Sequence, residues 1–314
     1  MYRYLLRRLV TLALSLIVIS ILIFVVMRII PGDPAQIILG TDADENSLAV
    51  LRDKLGLTGP IYVQYARWVQ GILTGRLGES VRYREPISQL IVSRFAVTGP
   101  LAVMAMLFAV AAGIPAAVYS AYRKNRLGDY LLMMFSQVGL AVPAFWMGIL
   151  LMLVFGVRLG WLPAGGFIPW SESFLGALKS LLLPAVALGL ICAASIARLG
   201  RSALLNVMAQ DYIRTARSKG ISERSVLYRH ALRNALIPLG TVIGMQFASL
   251  LAGTIVIESV FYLPGLGRFA FMAIGMRDLP VVQDIVLFIT ALIVVTNFLV
   301  DVSYALLDPR IRLE

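Results

Sequence analysis

The chain has 314 residues, of which 59% are apolar and 14% charged, with a mean hydropathy of +0.85. No soluble core of that length needs so much apolar sequence, so the composition points to a membrane protein. The net charge of +11 does not indicate nucleic acid, because long apolar runs interrupt the basic residues and no base-stacking pattern accompanies them. The single cysteine, Cys192, excludes an internal disulfide framework and is expected to act as a small packing group.

Along the chain, Arg3, Arg7 and Arg8 precede an apolar run from Leu9 to about Ile30. That run is too long for the core of a signal peptide and lacks a small-residue cleavage site, which predicts an uncleaved first transmembrane helix. A span needs roughly 20 apolar residues, and further spans are predicted at 97–121, 131–157, 180–200, 236–261 and 284–307. The expected fold is all-α and polytopic, with six transmembrane helices and both termini on one side. Pro115, Pro143 and Pro184 fall inside the second, third and fourth spans and favour kinks.

Between the first two spans, residues 31–96 carry Pro31-Gly32-Asp33-Pro34, then Asp42, Asp44 and Glu45, then Leu55-Gly56-Leu57 and the aromatic Tyr62, Tyr65 and Trp68. A segment of this length and mixed character is expected to fold as a small cap. The organisation expected is therefore 1–96, the first helix with its cap, and 97–314, a five-helix core containing a loop at 201–235.

Orientation follows from the basic residues near the span ends. With the N-terminus inside, the cytoplasm holds the N-terminal arginines, Arg123, Lys124 and Arg126, the cluster from Arg198 to Arg233, and Arg310 and Arg312. After the acids on that face are counted, the whole net charge of +11 lies inside, and the outer segments cancel.

The sequence lacks a Gly-x-x-x-x-Gly-Lys-Ser/Thr phosphate loop and a His-Glu-x-x-His pair, and its only histidine, His230, has no second histidine with which to share a metal. No catalytic, cofactor or metal site is expected, so the chain is not expected to be an enzyme, and any ATP-driven motor must be another chain. An acid at membrane depth is costly and often functional. Glu258, near the outer end of the fifth span, is read either as a pathway or gate residue or as a pairing group at the membrane surface. Asp301 is read as a packing partner rather than a proton relay. Gly240 and Gly244 form a small-xxx-small pair that can bring two helices close.

Residues 211–238 form a long basic excursion between two apolar spans. Asp211 is expected to cap a helix through Ala216, with Gly220 as its left-handed stop, and Ser222 to cap a second short helix with Glu223 in its first turn. Two readings stand at this point: a docking element for a soluble partner, or a loop that fixes topology and touches anionic lipid.

Arg214-Thr215-Ala216, followed by Arg217-Ser218-Lys219 and Gly220, is similar to the cytoplasmic EAA loop of ABC-importer permeases. Where the general motif continues Ile-x-Leu-Pro, this chain has His230-Ala231-Leu232-Arg233, a form that looks like the dipeptide/oligopeptide/nickel branch. The Pro31-Gly32-Asp33-Pro34 stretch, Leu55-Gly56-Leu57 before Tyr62-Val63-Gln64-Tyr65, Ile257-Glu258-Ser259-Val260-Phe261 before Pro264-Gly265-Leu266-Gly267, and Asp308-Pro309-Arg310-Ile311-Arg312 agree with that branch. The chain as a whole resembles a first-permease-type subunit of these binding-protein-dependent importers.

The resemblance implies a type I importer permease in the cell inner membrane. It would form half of a pathway for di- or oligopeptides or a related small solute. Its implied partners are a second permease, two subunits that bind ATP and Mg, and an extracytoplasmic solute-binding protein. Carried over, Thr215, Ala216, Gly220 and Ile221 are contact or turn positions of a coupling helix, with Arg214, Arg217 and Glu223 in polar contacts. The alternatives are a secondary transporter driven by an ion gradient and a non-transporting membrane scaffold.

Overall fold

A computed structural model describes the backbone of residues 2–29, 34–40, 43–54 and 56–307. Pro31-Gly32-Asp33, Asp42, Leu55 and the terminal Asp308–Arg312 motif lie outside the described residues. Regular structure among those described is helical, apart from one isolated bridge between Glu79 and Pro86.

In chain order, α1 is Tyr2–Ile29, α2 Pro34–Leu39, α3 Glu45–Lys54, α4 Ile61–Leu73, α5 Ile87–Tyr122, α6 Leu127–Ala141 and α7 Ala144–Leu151, which continues as a π-helix over Met152–Arg158. Then come α8 at Phe174–Met208, α9 at Asp211–Ser218, α10 at Glu223–Ser225 with a π-helix over Val226–Leu232, α11 at Arg233–Val260, α12 at Leu266–Gly275 and α13 at Leu279–Leu307. Five helices are long and apolar enough to cross a bilayer, and the count is six when α6 and α7 with its π-helical continuation form one broken span.

The third predicted span, 131–157, is that broken pair, bent by 103°. Pro143 explains the site of the break: it holds Val142 in the extended region at ψ 123° and starts α7 from its own fixed φ of −61°. By contrast α5 and α8 run unbroken through Pro115 and Pro184. The second and fourth spans are also longer than predicted. At 36 residues, α5 is about 54 Å long, well beyond the ~30 Å of hydrocarbon. α8 begins at Phe174 because Ser173 caps it, its hydroxyl accepting from the Gly176 amide at 3.0 Å.

The chain divides into two compact units, one of Met1–Leu5, Gly99–Leu263 and Thr296–Glu314, the other of Leu6–Thr98 and Pro264–Val295. The division expected from chain order, 1–96 and 97–314, differs in that Pro264–Val295 groups with the first helix and its cap.

In the first unit α8 is the central, most buried span and packs against α6, α7 and α11. Cys192 is buried within it. Gln246 of α11 donates to Ser195 of α8, which satisfies two polar side chains at membrane depth. The predicted glycine pair acts at one position only: a Cβ at Gly244 would collide with the Val300 side chain of α13, whereas Gly240 has nothing within 4 Å. Gly244→Ala is therefore expected to destabilise the protein by about 1–3 kcal/mol, the usual range for overpacking. A thermal melt in detergent checks this, with Val300→Ala in the same chain recovering only part of the loss, since the Val300 Cβ would still lie 2.8 Å from the new methyl.

In the second unit the cap expected after the first span is helical. Its α3 is capped by Asp44, which accepts from the Ser47 amide at 3.1 Å; hydrogen bonding to Ser47 holds the Asp44 carboxyl below its ordinary range. α4 is fastened along α1. Tyr65 and Ser20 share a hydrogen bond of 2.8 Å, and Phe24 meets the rings of Tyr65 at 5.3 Å and Trp68 at 5.9 Å. Trp68 then donates to Asp284 of α13 at 2.7 Å, so α4 ties the first and last helices together. Ser80 donates to Asp278 at 2.6 Å beside an apolar cluster of α5, α12 and α13 residues, including Ile87, Leu266, Phe269 and Ile285.

Candidate docking site

The basic segment 211–238 forms one surface of the first unit. α9 is amphipathic: Ile213 and Ala216, three residues apart, are buried against Ala117 and Val118 of α5, Leu204 of α8, and Val226, Leu227 and Ala231 of the following π-helix. Asp211 is the first residue of the helix rather than its cap; Gln210 holds that position without a side-chain hydrogen bond. Gly220 ends the element at φ +76°, the left-handed conformation expected of it. Ser222 stands at the next N-cap position but makes no capping bond with its side chain.

The second helix is not short. α10, the π-helix and α11 run on as one helix from Glu223 to Val260. A seven-residue stretch of wider turns lies where the surface element becomes a span, a feature common at functional positions. Two further links bind α9 to this helix. Arg217 donates to Glu223 across the Gly220 turn at 2.7 Å, and Asn234 of α11 donates to the hydroxyl of Tyr212 at 2.9 Å. Both Arg217 and Glu223 are exposed, so their pairing contributes no more than about 1 kcal/mol; its role is to set the angle of the turn.

Of the seven residues singled out in this segment, Arg214, Thr215, Arg217, Gly220 and Glu223 are exposed. Ala216, expected among the contact or turn positions, is buried within the chain. The 3.6-residue period turns it inward with Ile213, so it seats α9 on its own protein. Ile221 is half-buried against the same core. The surface offered outward is polar and basic. A hollow of about 570 Å³ beside the turn is lined by Arg123, Lys124, Arg126 and Arg217 against the single acid Glu223.

Sequence reasoning missed the group that holds this surface in place. Asp129, at the start of α6, is 1% exposed and receives both Nε and a terminal nitrogen of Arg201 at 2.6 Å each. It also accepts from the Ser120 hydroxyl and, at 2.9 Å, from the Asn125 amide. This bidentate pair joins the basic turn at 123–126 to the last part of α8. The one available signal was an acid in an otherwise basic turn, but nothing in the sequence named a partner 72 residues away.

Glu258 lies apart from this surface. It is fully buried near the end of α11 and is engaged within the chain. The helix ends there with Tyr262 left-handed at φ 55° and the Leu263 amide bonded to the Glu258 carbonyl at 2.9 Å, the wrapped C-terminal turn usually made with glycine. Asp301 is half-buried on α13 and is likewise engaged. Among the described residues no cluster of His, Cys, Asp and Glu is arranged to hold a metal ion.

Two family models match the chain: binding-protein-dependent transport system inner membrane component over residues 113–313, and the N-terminal part of such membrane components over residues 1–102. A putative peptide transport system permease protein of Brucella abortus is 44% identical, covering 95% of both chains. A glutathione transport system permease protein of Salmonella paratyphi A is 41% identical over 99% of both. A dipeptide transport system permease protein of Alkalihalophilus pseudofirmus is 40% identical over 99% of this chain and all of its own. Among solved structures, an inward-facing form of the MetNI methionine ABC transporter matches in fold over 70% of this chain and 97% of its own, with a TM-score of 0.58 at 17% identity.

Proposed function

The chain belongs to the family of binding-protein-dependent transport system inner membrane components, and on that premise we propose that it is one of two permease subunits of an ATP-driven ABC importer. Its cargo is a peptide or a related small solute, the class named for its relatives. Its partners are a second permease, two subunits that bind ATP and Mg, and an extracytoplasmic solute-binding protein. Hydrolysis belongs to the ATP-binding subunits and not to this chain.

The observation that carries this reading is the continuity of the docking surface with a span. A partner that moves the exposed face of α9 moves the 38-residue helix from Glu223 to Val260 with it, because the Gly220 turn, the Arg217–Glu223 pair and the Asn234–Tyr212 bond leave no slack element between them. The basic face suits acidic residues on an ATP-binding subunit. The protein then works by differential contacts in two access states.

Both termini are assigned to the cytoplasm. The Asp129–Arg201 pair keeps the 123–126 turn and the end of α8 together, so the chain from α6 to α8 leaves one membrane face and returns to it, and that face carries the basic residues. Glu258 is assigned a structural or gating role at the far end of α11, away from the docking surface.

Uptake in proteoliposomes holding the complete assembly is expected to be abolished by vanadate and unaffected when ion gradients are collapsed. Uptake that survives vanadate and fails with the gradient would replace this reading with a secondary transporter.

A further inference from the structure

A groove of about 440 Å³ lies within the first unit, between the last turns of α5 and the start of the Glu223–Val260 helix. Its walls follow helical spacing: Pro115, Tyr119 and Tyr122 recur on α5, and Arg224, Tyr228 and Leu232 on the other helix. Because α5 ends at the basic turn of residues 123–126 and the second helix starts from the basic segment, the two walls match along their length. One end is aliphatic, where Ile114, Pro115 and Leu232 are open or half-buried over a floor of buried Val118 and Leu227. The other end is polar. There Tyr119, Tyr122 and Tyr228 are 47%, 48% and 60% exposed, and Arg224 is exposed as well.

Arg224 is the one charged residue lining the groove, and no acid lines it. Its neighbour in sequence, Glu223, lines the adjoining hollow and is held by Arg217. A second positive charge stands close by, since the Arg123 guanidinium lies 5.9 Å from the centre of the Tyr122 ring.

Tyrosines beside basic residues mark the boundary between bilayer and water, and this groove crosses that boundary. A water-soluble ligand would leave the aliphatic end uncovered, and bare hydrocarbon would leave Arg224 without a counter-charge. A phosphate amphiphile meets both ends. Guanidinium pairs with phosphate through two parallel bonds, and tyrosine hydroxyls are further donors. From Ile114 to Tyr122 the helix rises about 12 Å, room for a headgroup and the first part of an acyl chain.

We propose that this groove binds an anionic glycerophospholipid, with the phosphate on Arg224 among the three tyrosines and an acyl chain along Ile114, Pro115 and Leu232. A choline headgroup is disfavoured, because it would bring a cation towards Arg123 and Arg224. The site depends on neither transport nor which membrane face is cytoplasmic.

The test is native mass spectrometry of the full chain released from micelles holding equal amounts of phosphatidylglycerol and phosphatidylcholine. Phosphatidylglycerol is expected to be retained in preference. Arg224→Gln should weaken that retention about fivefold, the effect of one basic side chain beside an anionic lipid. Lys219→Gln, which removes the same charge from an exposed residue outside the groove, should leave it unchanged. On the wild-type chain, lysophosphatidylglycerol should displace the lipid and glycerol 1-phosphate should not.

Equal retention of the two lipids overturns the proposal, as does equal loss in the two variants, which would mean general surface charge. Displacement by glycerol 1-phosphate would make the groove an ordinary anion site. Loss of the lipid on assembly with the ATP-binding subunits would give the groove to a protein segment and overturn the proposal too. The lipid comparison and the displacements use the wild-type chain, so they decide the matter even where Arg224→Gln does not fold.

Discussion

Arg201→Ala is expected to destabilise the folded chain by about 3–5 kcal/mol, the range for removing one partner of a buried ion pair. The carboxylate left behind, Asp129, is 1% exposed, and only the Ser120 hydroxyl and the Asn125 amide would still meet it. Loss of the bidentate contact also frees the 123–126 turn from α8, and with it one wall of the basic hollow. A large fall in the thermal midpoint of the purified subunit is the expected reading. Arg201→Lys should fall between, since an ammonium keeps the charge but not the two-pronged geometry. A wild-type midpoint for Arg201→Ala would show that the pair is not a structural anchor.

Replacing Gly220 with valine is expected to leave a folded, inserted subunit that no longer couples. Nothing lies within 4 Å of where its Cβ would be, so the penalty is backbone strain alone, about 1–2 kcal/mol for a residue held left-handed and somewhat more for a β-branched one. That strain is relieved by turning α9 relative to the Glu223–Val260 helix, which misplaces the exposed arginines against the partner. Uptake should drop by about 5–150-fold, the span of typical coupling free energies, while ATP hydrolysis loses its stimulation by substrate-loaded binding protein. Gly220→Asn, which tolerates the left-handed conformation, should retain most coupling. Normal stimulated hydrolysis and uptake in the valine variant would sink the coupling assignment.

The outcome for residues 211–238 shows how far a local pattern carries. The glycine stop was legible because a positive φ follows from residue type and place. The inward turn of Ala216 was legible too, since Ile213 and Ala216 lie three residues apart on one helical face. The length of the second helix was not legible. Nothing in the run from Val226 to Leu232 announces that a surface helix continues through a π segment into a span.

By itself the sequence determined that the chain is an all-helical membrane protein, roughly where its spans lie, and that a basic element sits between the fourth and fifth of them. These depend on apolar run length, proline, glycine and charge, which act within a few residues. Tertiary structure alone decided that Pro143 breaks a span by 103°, that Pro264–Val295 joins the first helix and its cap, and that Asp129 meets Arg201 and Trp68 meets Asp284. The physical reason is that a buried polar group must find its partner through space. Which of the chain's many charges and donors it finds is set by helix packing, and no local pattern encodes it.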